Sequence, residues 1–225
     1  RVVQGAARGA GLVKLLAATR SAGKQREIKR VLEPAGFDVV FPDEIGLFES
    51  PAEDLLELGE SFLTNARSKA EHFARKSGLP TVADDSGLEV FALGGEPGVR
   101  SRRWAGAGGT AAEVDAANNA TLLRRLAGAA GPRRRARYRC VLVYLREPGA
   151  VPKVFEGSCA GQILDEPRGD EGFGYDPLFL SDDLGKSFGE ASPEEKDGVS
   201  HRGRALHALA AALAPAVAGK AASRE

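Results

Sequence analysis

Short apolar runs without helical period alternate with stretches of helical spacing along most of the chain, and this alternation constrains the fold to the α/β class. Val13 to Thr19 (VKLLAAT) is the first such run. The turn Ser21-Ala22-Gly23 follows, and then Ile28, Val31, Leu32 and Ala35 recur at helical spacing until Pro34 and Gly36 stop the helix. Asp38 to Phe41 reads as a second strand. Phe62, Ala66, Ala70, Phe73 and Ala74 share one helical face, closed by Ser77-Gly78-Leu79-Pro80. Thr81 to Ala83 reads as a strand leading into Asp84-Asp85-Ser86-Gly87, with a further strand in LEVFALGGEPGV. Glu113 to Leu126 is helical, Arg137 to Leu145 is a strand, and Val154 to Gly161 is its hairpin partner. Residues 168 to 190 lack period and read as an ordered loop, and Arg202 to Ala218 is an Ala/Leu helix.

At 225 residues, 43% hydrophobic and 28% charged, the chain is long enough for one large core or two intimate lobes. We read a single two-lobed domain over 13–218, with 1–12 as an N-terminal extension and 219–225 as a frayed tail. The 31 basic and 31 acidic residues cancel, which removes the bulk electrostatic argument for a nucleic-acid or membrane-surface partner. No run of about 18 apolar residues suggests a membrane span, and the first residues lack the pattern of a signal peptide. Two cysteines, Cys140 and Cys159, are too few for a disulfide framework, so a reducing cytoplasm is expected. The one dense basic run, Arg133 to Arg137, reads as a solvated loop, with phosphate or RNA contact as the alternative.

Four stretches could carry chemistry. Thr19-Arg20-Ser21-Ala22-Gly23-Lys24 joins a buried strand to a helix start, where free N–H groups and the helix dipole favour an anion. It is not a Walker loop, because Ala18 stands at the first Gly and Gln25 follows the Lys; read alone, it is a phosphate loop or simply a capped turn. Asp84 and Asp85 put two carboxylates side by side at the end of an apolar strand. Like charges so placed raise each other's pKa unless a cation compensates, and Mg²⁺ with substrate phosphates would do so; a solvated turn is the other reading. In Gly172-Phe173-Gly174-Tyr175-Asp176-Pro177 the glycines admit close approach and the two rings could stack on a planar ligand, or could plug the core. Glu194-Glu195-Lys196 and Ser200-His201-Arg202-Gly203 gather donors at the start of the last helix.

Taken together, the order and spacing of these stretches closely resemble the inosine/xanthosine triphosphate pyrophosphatase family. The resemblance runs from about Leu15 to Leu213, through TRSAGK, ELGESFLTNARSKA (57–70), ADDSGLEVFALGGEPGV (83–99), GFGYDP (172–177) and EEKDGVSHRGRAL (194–206). It implies an elongated mixed β-sheet flanked by helices, two lobes with an active-site cleft between them, and a homodimer. The reaction implied is hydrolysis of ITP, dITP and XTP to the monophosphate and pyrophosphate, with Mg²⁺. Residue by residue, it implies that the loop from Thr19 through Arg20, Ser21, Ala22 and Gly23 to Lys24 lines the triphosphate site. Asp85 is then the catalytic carboxylate, with Glu57 and Asp84 beside it at the metal and Ser86 touching substrate. Phe173, Gly174, Tyr175 and Asp176 would hold base and sugar, and Lys196, His201 and Arg202 would read the purine. Three positions depart from the family pattern: Ser21 where Asn is usual, Thr64 where Glu is common, and Arg100 where Tyr is usual. Other readings are a pyrophosphatase for modified pyrimidine nucleotides, or a nucleotide- or RNA-binding protein without catalysis.

Overall fold

The computed structural model describes residues 12–222, with side chains up to Ala214. Thus 1–11 of the expected extension and the last three residues of the expected tail lie outside the described residues. Six strands form one mixed sheet: β1 (Val13–Ala17), β2 (Phe37–Val40), β3 (Thr81–Val90), β4 (Arg135–Leu145), β5 (Lys153–Ile163) and β6 (Phe179–Ser181), in the order β2-β1-β3-β4-β5-β6. Five α-helices accompany them: α1 (Ala22–Leu32), α2 (Phe62–Ser77), α3 (Ala111–Arg125), α4 (Pro193–Val199) and α5 (His201–Ala222). The β1 pairings are parallel and those from β3 onward antiparallel.

The expected elements form for local reasons. Ser61 caps α2 by accepting from the Thr64 N–H, and Thr110 and Glu113 close a reciprocal capping box on α3. The long strands β3, β4 and β5, of 10, 11 and 11 residues, each reach about 33–37 Å and so pass through both lobes. In the first lobe, α1 and α5 cover one face of the sheet through Leu15, Leu32, Leu142 and Leu206, and α2 covers the other through Ala66, Ala70, Phe73 and Val143. In the second lobe, Leu88, Leu122, Tyr138, Ile163, Phe179 and Phe188 pack around the distal ends of β3 to β5.

Several expectations are corrected. The Asp84-Asp85 pair does not end a strand: β3 runs unbroken through it, because β4 pairs with every residue from Thr81 to Val90. The segment 168–190 contains β6, which needs only three residues because it adds to the edge of β5. Short α4 precedes the last helix, which extends to Ala222 rather than stopping at 218. The basic run is not a solvated loop. Arg134 is buried and donates to the carbonyls of Ile163 and Leu164 at 2.6 Å each, while Arg135 pairs with Asp182 and Arg137 with Glu89 across strands. Arg134, Arg135 and Arg137 thus spend their charge on partners within the chain and Arg133 stands exposed, which leaves the phosphate or RNA alternative with little support.

Candidate active site

The cleft begins where β1 ends. The last β1 pairing with β3 is Ala17 with Val82, so Asp84 and Asp85 lie just beyond it, beside the loop that leads into α1. A crevice beyond the carboxyl end of a strand is where open α/β sheets bind ligands. Ser21 occupies the N-cap of α1 but makes no side-chain cap bond, and the first turn has no acidic residue. The positive end of the helix is therefore left without a side-chain cap or a carboxylate of its own, and Lys24 of its first turn reaches Asp84.

Strand alternation sends neighbouring side chains to opposite faces of the sheet, which changes the meaning of the Asp84-Asp85 pair. Asp84 faces α1 and α5: one of its oxygens takes Lys24 Nζ at 3.0 Å, Arg202 Nε at 3.2 Å and the Ser86 hydroxyl at 3.1 Å. Asp85 faces α2, where it accepts from Asn65 Nδ2 at 2.9 Å and lies 3.5 Å from Lys69 Nζ. The expectation that the pair raise each other's pKa is therefore not met: Asp84 is lowered, and what raises Asp85 is burial rather than Asp84. Burial pushes Asp84 up, but Lys24, Arg202 and Lys69 more than offset this and hold it far below the usual carboxylate range. Burial leaves Asp85 raised, against the pull of Lys69, Lys24 and Asn65. A buried carboxylate with a raised pKa next to one held ionised is an acid/base arrangement set by environment.

Glu57 arrives on the turn Pro51–Glu57 and accepts from Lys69 Nζ at 2.6 Å. Burial raises its carboxyl, and the Lys69 and Lys24 ammonium groups outweigh that and lower it. Lys69 thus bridges Glu57 and Asp85. Among the described residues no three His, Cys, Asp or Glu side chains converge on one point. The second oxygen of Asp84 is buried and unpartnered. One or two carboxylate oxygens beside a phosphate site suit Mg²⁺, which completes its shell with water and substrate oxygens; the residues present fit such an ion.

At the other end of the cleft, Lys196 on α4 and Arg202 on α5 are both buried. Lys196 pairs with Asp176 and, at 2.7 Å, with Glu27. Burial works against its charge, and these two carboxylates more than offset that, so the ammonium keeps its proton. Arg202 donates to Glu27, Asp84 and, at 2.7 Å, the Ser86 hydroxyl. It reaches Asp84 because the start of α5 lies directly on β5: a Cβ on Gly157 would stand 2.1 Å from the His201 carbonyl. His201 stacks on Tyr138 with centroids 4.6 Å apart, and its Nδ1 is buried without a partner. Burial and the adjacent Arg202 push its pKa well down, so the ring is neutral. The Phe173 ring lies 4.7 Å from Lys196 Nζ and against Gly23, where any Cβ would come within 2.5 Å of it. A cavity of about 130 Å³ opens here, bounded by Gly23, Glu27, Phe173, Phe188 and Lys196.

The structure therefore gathers Ser21 to Lys24, Glu57, Asp84, Asp85, Ser86, Phe173, Lys196, His201 and Arg202 along one cleft, with Thr19 at its loop, where the Thr19 hydroxyl accepts from the Ser21 N–H at 3.2 Å. Four assignments change. Arg20 turns away, with both arms on Glu53 at 2.7 and 2.8 Å and a third bond to Asp43 at 2.6 Å, so its charge is already used. Tyr175 is a core plug whose hydroxyl donates to the Ser101 carbonyl at 2.9 Å. Gly174 has its N–H on Asp115 and its carbonyl on Asn119. Asp176 is buried beneath the loop, holding Lys196 and the Phe173 N–H. These three shape the Phe173 loop from within and offer a ligand no free polar group.

Sequence reasoning missed Asn65, Lys69 and Glu27. The signal was a polar residue on a core-facing stripe: Asn65 and Lys69 stand four apart beside Ala66 and Ala70, and Glu27 adjoins Ile28. Two of the departures from the expected pattern have local partners, Thr64 on Ser61 at the α2 cap and Arg100 on Glu96.

Residues 15–212 match the model of the Ham1 family. The chain is 46% identical to the dITP/XTP pyrophosphatase of Methylococcus capsulatus over 89% of its length and 96% of that protein. It is 48% identical to the enzyme of the same description from Ralstonia nicotianae, over 87% and 94%. Among solved structures, a HAM1 protein from Coxiella burnetii superposes with a TM-score of 0.78 at 34% identity, over 91% of this chain and all of that one. With most of the chain matched in sequence and fold alike, the protein belongs to the Ham1 family.

Proposed function

We propose that the chain hydrolyses deaminated purine nucleoside triphosphates, dITP, XTP and ITP, to the monophosphate and pyrophosphate, and so clears them from the nucleotide pool. The observation that carries this reading is the polarity of the cleft. Lys24, Lys69 and an open helix N-terminus surround buried carboxylates at one end, and at the other buried Lys196 lines a small cavity together with Phe173 and Phe188, with the Arg202 guanidinium 5.7 Å from the Phe173 ring. The names of the relatives point the same way.

Each group has a physical task. The α1 N-terminus and Lys24 bind the triphosphate oxygens, and the negative charge that grows on the departing pyrophosphate is stabilised there. Asp85, raised by burial yet bonded to Asn65, orients a water for attack at the α-phosphorus and takes its proton. Asp84, kept ionised, holds Lys24 and Arg202 in place. Mg²⁺ held by Asp85, Glu57 or the free oxygen of Asp84 would supply charge neutralisation at the phosphates. Phe173 covers the base. The Lys196 and Arg202 N–H groups donate to the C6 oxygen of hypoxanthine or xanthine, whereas the amino group of adenine would meet donors and leave buried groups unpaired.

A homodimer and a cytoplasmic setting belong to the same reading. Exposed Leu63 and Phe91, with a groove of about 420 Å³ lined by Phe62, Leu63, Pro97, Val99 and Arg139, support the dimer. Buried free thiols at Cys140 and Cys159 suit a reducing compartment. No helix among the described residues is long and apolar enough to cross a membrane.

Pyrophosphate release from ITP, dITP, XTP, GTP, dATP and dTTP, with and without Mg²⁺, tests the reading beside Asp85→Asn. Turnover confined to the deaminated purines, Mg²⁺-dependent and abolished by Asp85→Asn, is expected. Binding without turnover would favour the non-catalytic alternative, and preference for a pyrimidine would overturn the substrate class.

A further inference from the structure

Helix α3 stands outside the cavity beside Phe173, yet two of its side chains grip the loop that carries Phe173. Asp115 and Asn119 lie four apart on one face of the helix and take both backbone polar groups of a single residue. Asp115 Oδ2 accepts from the Gly174 N–H and Asn119 Nδ2 donates to the Gly174 carbonyl, each at 2.9 Å. The helix is itself fixed: Leu122 lies in the second-lobe core, and Asn118 donates to the carbonyls of Ser101 and Arg102 at 3.2 and 3.1 Å.

Those two bonds hold backbone. The Gly174 N–H shares a rigid peptide plane with the Phe173 carbonyl, and the Gly174 carbonyl shares the next plane with the Tyr175 N–H, so gripping both sets the chain on either side of Gly174. On the upstream side, Asp176 Oδ2 takes the Phe173 N–H at 2.8 Å. Both peptide groups that flank Phe173 are therefore held, and its ring is aimed at Gly23 of α1, 4.7 Å from Lys196 Nζ. Without α3 the loop would keep the conformational freedom of Gly172 and Gly174, which stand at φ 76° and 66°. The Asn119 Oδ1 is buried without a partner. Leaving that oxygen unpaired costs stability, which makes this amide a poor choice for scaffolding alone.

We propose that Asp115 and Asn119 are positioning residues for nucleotide binding: from outside the cavity they preset Phe173 in the orientation that covers the base, so that the nucleotide does not have to order the loop. The two side chains touch neither base nor phosphate; they act through Gly174 on Phe173. This role rests on the proposed function, in which Phe173 covers the base. Because every base presents a flat face to a ring, the effect falls on affinity and not on the choice between bases.

The test combines calorimetric binding of inosine monophosphate, which needs no turnover, with initial rates on ITP and XTP. The proteins are the wild-type chain, Asn119→Ala, Asp115→Ala, Asp115→Asn, Phe173→Ala and the Asn119→Ala, Phe173→Ala double variant. Ordering about one loop residue on binding costs about tenfold in affinity. Asn119→Ala is therefore expected to weaken inosine monophosphate and raise KM for both triphosphates by about tenfold, with kcat changed by less than about threefold. In the Phe173→Ala background the same substitution should add less than about twofold, because the ring it positions is gone. Asp115→Asn keeps an acceptor for the Gly174 N–H and should recover most of what Asp115→Ala loses. Losses that multiply in the double variant, a fall in kcat with KM unchanged, or wild-type binding by folded Asn119→Ala and Asp115→Ala proteins would each overturn the proposal. If Asn119→Ala does not fold, failure of Asp115→Asn to bind more tightly than Asp115→Ala decides against it. A wild-type chain that binds no purine nucleotide would instead sink the functional reading, and the role of α3 with it.

Discussion

Replacing Lys69 by Met removes the one cation that bridges Glu57 and Asp85 while keeping most of the apolar stem. Lys69 is buried on α2, 2.6 Å from Glu57 and 3.5 Å from Asp85. At an effective dielectric of about 20, unit charges 3.5 Å apart interact by about 5 kcal/mol. The Glu57 contact adds little, since that side chain is 39% exposed and water screens it. Asp85 can relieve its loss by taking up a proton, so the net cost to folding is about 3 kcal/mol, the low end for breaking a buried pair. For a chain of this size that lowers the melting temperature by about 6–12 °C. The sign is fixed: Lys69 pulls the Asp85 pKa down against burial, so without it the carboxyl rises further and the acid limb of the pH–rate profile moves to higher pH. Thermal unfolding and a pH–rate profile of Lys69→Met measure both effects. A folded Lys69→Met protein whose acid limb stays at the wild-type position would refute the assignment of Asp85 as the proton acceptor controlled by Lys69.

Two further outcomes are expected. Arg20 ties the phosphate loop to the segment bearing Glu53, so Arg20→Leu and Glu53→Gln should each lower kcat with KM nearly unchanged, and the double variant should be no worse than the worse single one. A rise in KM for Arg20→Leu alone would mean that Arg20 binds phosphate directly. In acid, stability should fall in two stages. Burial raises Glu27, but Lys196 and Arg202 outweigh it and bring its pKa to about 2 from an ordinary 4.5, so its contribution is complete above pH 4.5 and is lost as pH falls toward 2. That contribution is about 3 kcal/mol, and urea unfolding of Glu27→Gln against pH should show a flatter curve in that window. His201, buried neutral, adds an earlier decline as pH drops below about 6.5, which His201→Gln should remove.

Much of this was written locally. The strand-turn-helix of β1 and α1, the capped α2, the β4–β5 hairpin and the last helix follow from apolar period and stop signals, because short-range sterics and capping set them. The blocks around Lys24 and Arg202 were visible as polar residues where helices begin, the Asp85 block as two adjacent carboxylates, and the Phe173 block as glycines beside aromatic rings. Their partners were not. That Asp84 and Asp85 face opposite ways depends on β4 pairing through the motif and keeping it extended, which no local pattern in ADDSGL reveals. That Arg20 and Tyr175 serve the scaffold, and that Arg134, Arg135 and Arg137 spend their charge internally, depends on residues 29 to 74 positions away. The sequence by itself determined which elements form and which residue types line their ends. Only the tertiary structure decided which charges meet, because a buried charge takes its pKa and its role from neighbours that distant parts of the chain supply.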